Sequence, residues 1–212
     1  MRARPAIDIT LPLSSATVVY PGDPHPQIRR LSDIESGAIL TSSEIHLNCH
    51  VGTHIDAPAH FIHGGATVDK LPMSCFVGRA VVLDLKDSER QIRPEHLDMS
   101  RLADDCHILI KTSNSKILHE PSFAEAYSFL APETVEKLLS VSPRSLGFDY
   151  YSIDPYETTT FPSHMLMAKA GLPVYVCLDL NNVTEGIYEF VGLPLRLLET
   201  EASPVRAILF QS

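Results

Sequence analysis

Five of the chain's ten histidines fall within eighteen residues, from His46 to His63. The stretch from Glu44 to Phe61 sorts its residues by parity. Alternate positions read Glu44, His46, Asn48, His50, Gly52, His54, Asp56, Pro58 and His60; those between read Ile45, Leu47, Cys49, Val51, Thr53, Ile55, Ala57, Ala59 and Phe61. One side is polar and rich in metal-type donors, and the other is almost wholly apolar. A period of two belongs to extended chain with one side on a core. A straight strand cannot bring the donors together, because Cα atoms four residues apart lie roughly 13 Å from each other. A bound metal needs each imidazole nitrogen within about 2.1 Å. The chain must therefore bend between His50 and His54, and Gly52 can take backbone angles that other residues avoid. Pro58 fixes a second turn before His60. The expectation is a strand entering a bent loop or short helical turn, with His50, His54 and Asp56 aimed at one ion.

Two neutral imidazoles and a carboxylate form a three-ligand set for a divalent metal. Zinc suits it, and manganese or iron is also compatible. Three protein ligands leave one position for water, as in catalytic sites; structural zinc usually has four ligands, often cysteines. An ion so held lowers the pKa of bound water to about 7 and polarises a carbonyl. His60, close by but not needed as a ligand, is placed to move protons. The segment HVGTH lacks the Glu of the HExxH zinc-protease motif, and its Gly and Thr disfavour a helix. His46 and His63 read as surface or satisfied core residues.

The remaining chain sets the context. Its 212 residues, 44% hydrophobic, suffice for one core and read as a single domain over residues 1–212. Strands are predicted at Ile7–Leu13, Gly78–Leu85, His107–Thr112, Ser145–Tyr150, Leu172–Leu180, Tyr188–Leu193 and Val205–Phe210, and helices at Pro132–Ser140 and Phe161–Ala170. The fold class is α/β, strand-rich with few helices. No apolar run reaches the roughly 18 residues of a membrane span, and the N-terminus does not read as a signal peptide. A formal net charge of −9 without a basic cluster disfavours nucleic acid and anionic membranes as partners. The four cysteines form no CxxC pair and read as reduced thiols of a cytoplasmic protein.

The run His50-Val51-Gly52-Thr53-His54-Ile55-Asp56-Ala57-Pro58-Ala59-His60 resembles the H-x-G-T-H-x-D-x-P-x-H signature of the cyclase-like metal hydrolases. That family includes the bacterial kynurenine formamidases and the isatin hydrolases. The resemblance extends through Pro21-Gly22-Asp23, the stretch from Gly147 to Pro155, Leu193-Pro194-Leu195 and Ser203-Pro204-Val205-Arg206. It implies a swivelling β/β/α fold and a homodimer or larger homo-oligomer. It also implies metal ligation by His50, His54 and Asp56, with His164 as a ligand of a second ion and His60 as proton donor and acceptor. Tyr20 falls where the formamidases carry a substrate-stacking Trp.

One position departs from that pattern. The family's second-site Glu, in an Ile/Leu-Glu-Gly context, falls here at Val176. Strand alternation puts Val174, Val176, Leu178 and Leu180 on one apolar face, with Tyr175, Cys177 and Asp179 opposite. One secure ion with a weakened or absent second site follows; a one-residue register slip presenting Cys177 or Asp179 is the alternative. The implied reaction is hydrolysis of an amide in a small aromatic substrate, with N-formylkynurenine, giving kynurenine and formate, as the leading candidate. Ring-opening of an isatin-like lactam or a lactone is the nearest alternative. A non-catalytic paralogue that keeps one metal and binds a small ligand is the rival from another class.

Overall fold

The computed structural model describes residues 5–211. Seven strands close into a barrel. In spatial order they are β12 (Ala202–Gln211), β11 (Gly186–Pro194), β5 (Val77–Asp84), β7 (His107–Lys111), β9 (Ser145–Phe148), β10 (Val174–Val176) and β4 (His54–Asp56), which pairs back onto β12. β1 (Ala6–Asp8) adds antiparallel to the far end of β12. β5, β7, β9 and β10 run parallel, and such neighbours need crossovers. The crossovers carry β6 (Gln91–Ile92) paired with β8 (Phe129–Leu130), and the helices α1 (Asn114–Ile117), α2 (Pro132–Leu139) and α3 (Pro162–Lys169). β2 (Gln27–Ser32) and β3 (Ser42–His46) form a separate two-stranded ribbon.

Strand alternation splits the apolar residues into two cores. Ile55, Ala80, Val82, Leu109, Tyr175, Phe190, Ala207 and Leu209 fill the barrel. Val81, Ile108, Ile110, Leu146, Phe148, Val174 and Val176 cover its outer face beneath Val135 and Leu138 of α2 and Met167 of α3. Gly147 lets the interior close, since a Cβ there would meet Leu109 and Leu178 side-chain atoms at 2.5 and 2.6 Å.

Both predicted helices form, each with Pro at its first position, where the missing N–H costs nothing. α3 ends at Gly171, whose φ of +74° permits the left-handed cap, and Leu172 N–H donates back to Met167 O at 3.0 Å.

The predicted strand Leu172–Leu180 needs correction. It ends at Val176 because Cys177 adopts φ +53°. The peptide flips there, so Val176 and Cys177 both join the outer core while Leu178 and Leu180 turn into the barrel. The four apolar residues at alternate positions therefore do not share a face. The flip is held on both sides: Cys177 N–H donates to Tyr150 O at 2.9 Å, and Cys177 O accepts from Thr53 Oγ1 at 2.6 Å.

Beyond the C-terminal end of β7, buried Asp149 accepts from Thr112 N and Oγ1 and from Ser115 N and Oγ, at 2.6–3.0 Å. Removing that carboxylate strands several buried donors, so Asp149→Ala is expected to cost roughly 2–4 kcal/mol. Urea unfolding checks this; an unchanged midpoint would show that the staple contributes nothing.

Candidate metal centre

The bend predicted between His50 and His54 centres on Gly52, whose φ is +59° and where a Cβ would lie 2.5 Å from Leu13 Cδ2. Glycine meets both conditions without strain. After the turn, Thr53 fastens the chain: its Oγ1 accepts from Leu11 N at 2.9 Å and donates to Cys177 O. β4 then puts Ile55 inside the barrel opposite Tyr175, while His54 and Asp56 emerge on the outer face opposite Val176 and Val174. Pro58 starts a 3-10 turn, Pro58–His60, that brings His60 back over His50, with ring centroids 4.2 Å apart.

The donors converge on the buried carboxylate of Asp56. Its Oδ1 lies 2.9 Å from His50 Nδ1 and 3.4 Å from His54 Nε2, and its Oδ2 lies 3.9 Å from His164 Nε2. Donor atoms of His50, Asp56 and His60 all lie within 4.8 Å of one another. His60, rather than His54, completes that close triad, and the ligand role read for His54 rests on its Nε2 lying 3.4 Å from Asp56 Oδ1. The structure brings together all five predicted residues of this set: His50, His54, Asp56, His60 and His164. His46 points away on β3, with its side chain 69% exposed.

These residues fit a cation. Asp56 Oδ1 is buried and no hydrogen bond reaches it, which is costly for a charged oxygen unless something positive meets it. The imidazoles are preset for the same purpose. His54 Nδ1 lies 2.8 Å from Gly52 O, and His164 Nδ1 lies 2.7 Å from Asp154 Oδ2. An N–H donated there leaves each Nε2 as a bare lone pair facing Asp56. With no ion bound, protons on the imidazoles take the cation's part. Burial alone would raise the Asp56 pKa, but His54 and His50 hold it well below the usual carboxylate range. Burial opposes charge on His50, yet Asp56 and Glu201 keep its pKa above the ordinary histidine value. His60 keeps an exposed edge, but its partial desolvation lowers the pKa, with His50 and His164 adding to the shift against Asp56.

Around the donors lies a cavity of about 190 Å³ walled by Tyr20, Phe61, Tyr151 and Phe161, with Asp23 and Ser152 as further polar lining. Tyr20 packs edge-on against Phe123, centroids 5.3 Å apart. Phe61 stacks on His164 at 4.8 Å. Phe161 holds φ +46° at the start of α3, a strained angle for a bulky residue.

Val176 offers no donor opposite His54, which matches the departure read in the sequence. The register-slip alternative fares differently for its two candidates. The flip puts Cys177 in the same core as Val176, with its thiol pKa raised by burial and by Asp56 and Asp149. Asp179 lies elsewhere, 3.2 Å from His119. Sequence reasoning also missed two supports. Asp154 accepts from the backbone N–H groups of Ser163 and His164 as well as facing the His164 ring. Glu201 lies 3.3 Å from His50 Nε2. Asp154 sat in a stretch already singled out; Glu201, 151 residues away along the chain, carried no local signal.

Asp56→Ala is expected to lose bound metal while keeping the fold. Elemental analysis of the purified variant, beside its thermal melt, checks this; full metal content would remove Asp56 from the ligand set.

Comparisons with known proteins point the same way. A family model described as "Cyclase: Putative cyclase" matches residues 7–155. A kynurenine formamidase of Salinibacter ruber is 36% identical over 206 residues, covering 96% of both chains. A solved structure described as a "predicted metal-dependent hydrolase from Bacillus stearothermophilus" is 29% identical with a TM-score of 0.85, covering 99% of this chain and all of that one, 100%. Isatin hydrolase A from Labrenzia aggregata shares the fold, with a TM-score of 0.83 at 23% identity over 97% of this chain and 93% of its own. The chain belongs to the Cyclase family.

Proposed function

We propose that the chain hydrolyses an amide bond in a small aromatic substrate, as an arylformamidase does, with N-formylkynurenine converted to kynurenine and formate as the leading substrate. The observation that carries this is an orphaned, buried carboxylate ringed by imidazoles at the floor of an aromatic-walled cavity. The 36%-identical formamidase relative supports the substrate class. Residues His50, His54 and Asp56 would hold the ion, with zinc preferred and manganese compatible. When bound, the ion would activate water and polarise the scissile carbonyl. One ion is proposed, because the far side of Asp56 offers His164 Nε2 but only an apolar side chain at Val176.

His60 supplies the proton chemistry. Its lowered pKa keeps the ring neutral near pH 7, so it can take a proton from the attacking water and return it to the leaving nitrogen. Tyr20 and Phe161 flank the aryl group, and Tyr20 is braced by Phe123 and Tyr156.

A homodimer is part of the proposal. The β2–β3 ribbon exposes Ile28, Leu31 and Ile45, and the connection between its strands exposes Ile34, Ile39 and Leu40, an apolar surface that suits a second copy. A cytoplasmic location is proposed from the four free cysteines. Among the described residues no helix is long and apolar enough to cross a membrane.

The aromatic walls would also accept a fused bicyclic lactam, so isatin-type ring-opening is the second reading. Assays of the zinc- or manganese-loaded protein on an arylformamide, isatin and an aryl lactone should give the highest kcat/KM on the formamide. No turnover on any of them would favour a ligand-binding paralogue. His60→Ala is expected to keep its metal and lose about 10²–10⁴-fold in turnover; full activity would remove it from the mechanism. Because the His60 pKa is lowered, its neutral form survives as pH falls below the ordinary value. The His60 limb of kcat/KM is therefore expected below pH of about 6.5, and its persistence in the residual activity of His60→Ala would contradict the assignment.

A further inference from the structure

We propose that Glu201 is a positioning residue that sets the tautomer of His50 and so makes that imidazole a ligand. The inference rests on the metal site proposed above. Three imidazoles face Asp56, and in each the far nitrogen meets an oxygen. Gly52 O lies 2.8 Å from His54 Nδ1, and Asp154 Oδ2 lies 2.7 Å from His164 Nδ1. For His50 the ring is turned round: Nδ1 faces Asp56 Oδ1 at 2.9 Å, and the far nitrogen, Nε2, lies 3.3 Å from Glu201 Oε1. His50 thus spans two carboxylates, one buried and one 43% exposed.

The neutral ring, the form that can ligate, has two possible proton placements with opposite consequences. With the proton on Nε2, the N–H donates to Glu201, and the Nδ1 lone pair and Asp56 Oδ1 both point at one position. Two donor atoms 2.9 Å apart are spaced as adjacent ligands of a cation bound at about 2.0–2.1 Å. With the proton on Nδ1, it occupies that position itself and shields Asp56. A carboxylate beside Nε2 favours the first placement and raises the basicity of the coordinating nitrogen.

The backbone fixes Glu201 where it must be. Its carbonyl accepts from Ala57 N at 2.8 Å, and the next residue, Ala202, pairs with Asp56 in the β12–β4 ladder. On the preceding side, Thr200 O accepts from Val68 N at 2.9 Å. Glu201 is therefore registered against the same short strand that carries His54 and Asp56, and the barrel closure that aligns β12 with β4 also brings the far end of the chain to His50.

The test uses the full-length protein and three variants, E201Q, E201A and E201K, with a thermal melt for each. Zinc and manganese affinities are read by competition with a chelator. E201A and E201K are expected to weaken binding by about 10- to 100-fold. E201Q, whose amide oxygen still accepts from Nε2–H, should stay nearer the parent than E201A does. Histidine ring nitrogen NMR on the metal-free proteins, taken at a pH high enough for His50 to be neutral, reads the tautomer directly: His50 is expected protonated at Nε2 in the parent and E201Q, and to lose that preference in E201A. A merely structural role would move the melt but not the tautomer. Parent-like affinity and an unchanged His50 tautomer in E201A would overturn the proposal. The NMR arm needs no ion, so a parent that bound neither metal while E201A shifted the tautomer would sink the metal-site reading and support the role of Glu201.

Discussion

The carboxylate of Asp56 is the constraint on which the site turns. Its Oδ1 is buried without a hydrogen bond, and its pKa is nonetheless held well below the usual range by His54 and His50, against the effect of burial. A charge kept in that position needs a positive partner, or it costs several kcal/mol. The surrounding imidazoles meet it with protons when no metal is bound and with lone pairs when one is. In the latter form they turn bare nitrogens inward and spend their N–H groups on Gly52 O and Asp154. In the lone-pair form the shell is complementary to a divalent ion.

The barrel exists, in functional terms, to hold three residues of β4 at one angle. Ile55 locks inward beneath Tyr175, so its neighbours His54 and Asp56 must face outward. β10 and β12 both pair with β4, and that double pairing leaves the strand no register in which to slip. The outward side is then roofed by α3 and the Pro58–His60 turn, which bring His164 and His60 within reach of the same carboxylate. The aromatic walls come from loops: Tyr20 from before β2, Phe61 from after the 3-10 turn, and Phe161 from the start of α3. Rigid strands place the ligands, and loops shape the substrate cavity.

Much of this was legible because it is local. Parity from Glu44 to His60 named the ligand face, and the need for two imidazoles to meet forced a bend at Gly52, where φ is +59°. His164 and Tyr20 came only from resemblance, since nothing in their own neighbourhoods marks them. The misread segment is instructive. Leu172–Leu180 has an unbroken strand pattern, and the flip at Cys177 is imposed by partners far along the chain, Thr53 and Tyr150. No periodicity argument detects a left-handed cysteine. Glu201 was invisible for the same reason, because its link to His50 exists only once β12 lies beside β4. The β2–β3 ribbon was only half legible: period two from Glu44 marks the end of β3 as extended but puts Ile45 on a core, and the structure leaves Ile45 59% exposed.

We propose that one divalent ion sits between His50 Nδ1, His54 Nε2 and Asp56 Oδ1. Crystals grown with zinc and measured on both sides of the zinc absorption edge test it directly. The account predicts one strong anomalous peak within about 2.0–2.2 Å of those three atoms and none beside Val176. A map with no peak among them, or with the three side chains turned apart around an ion bound elsewhere, would contradict it.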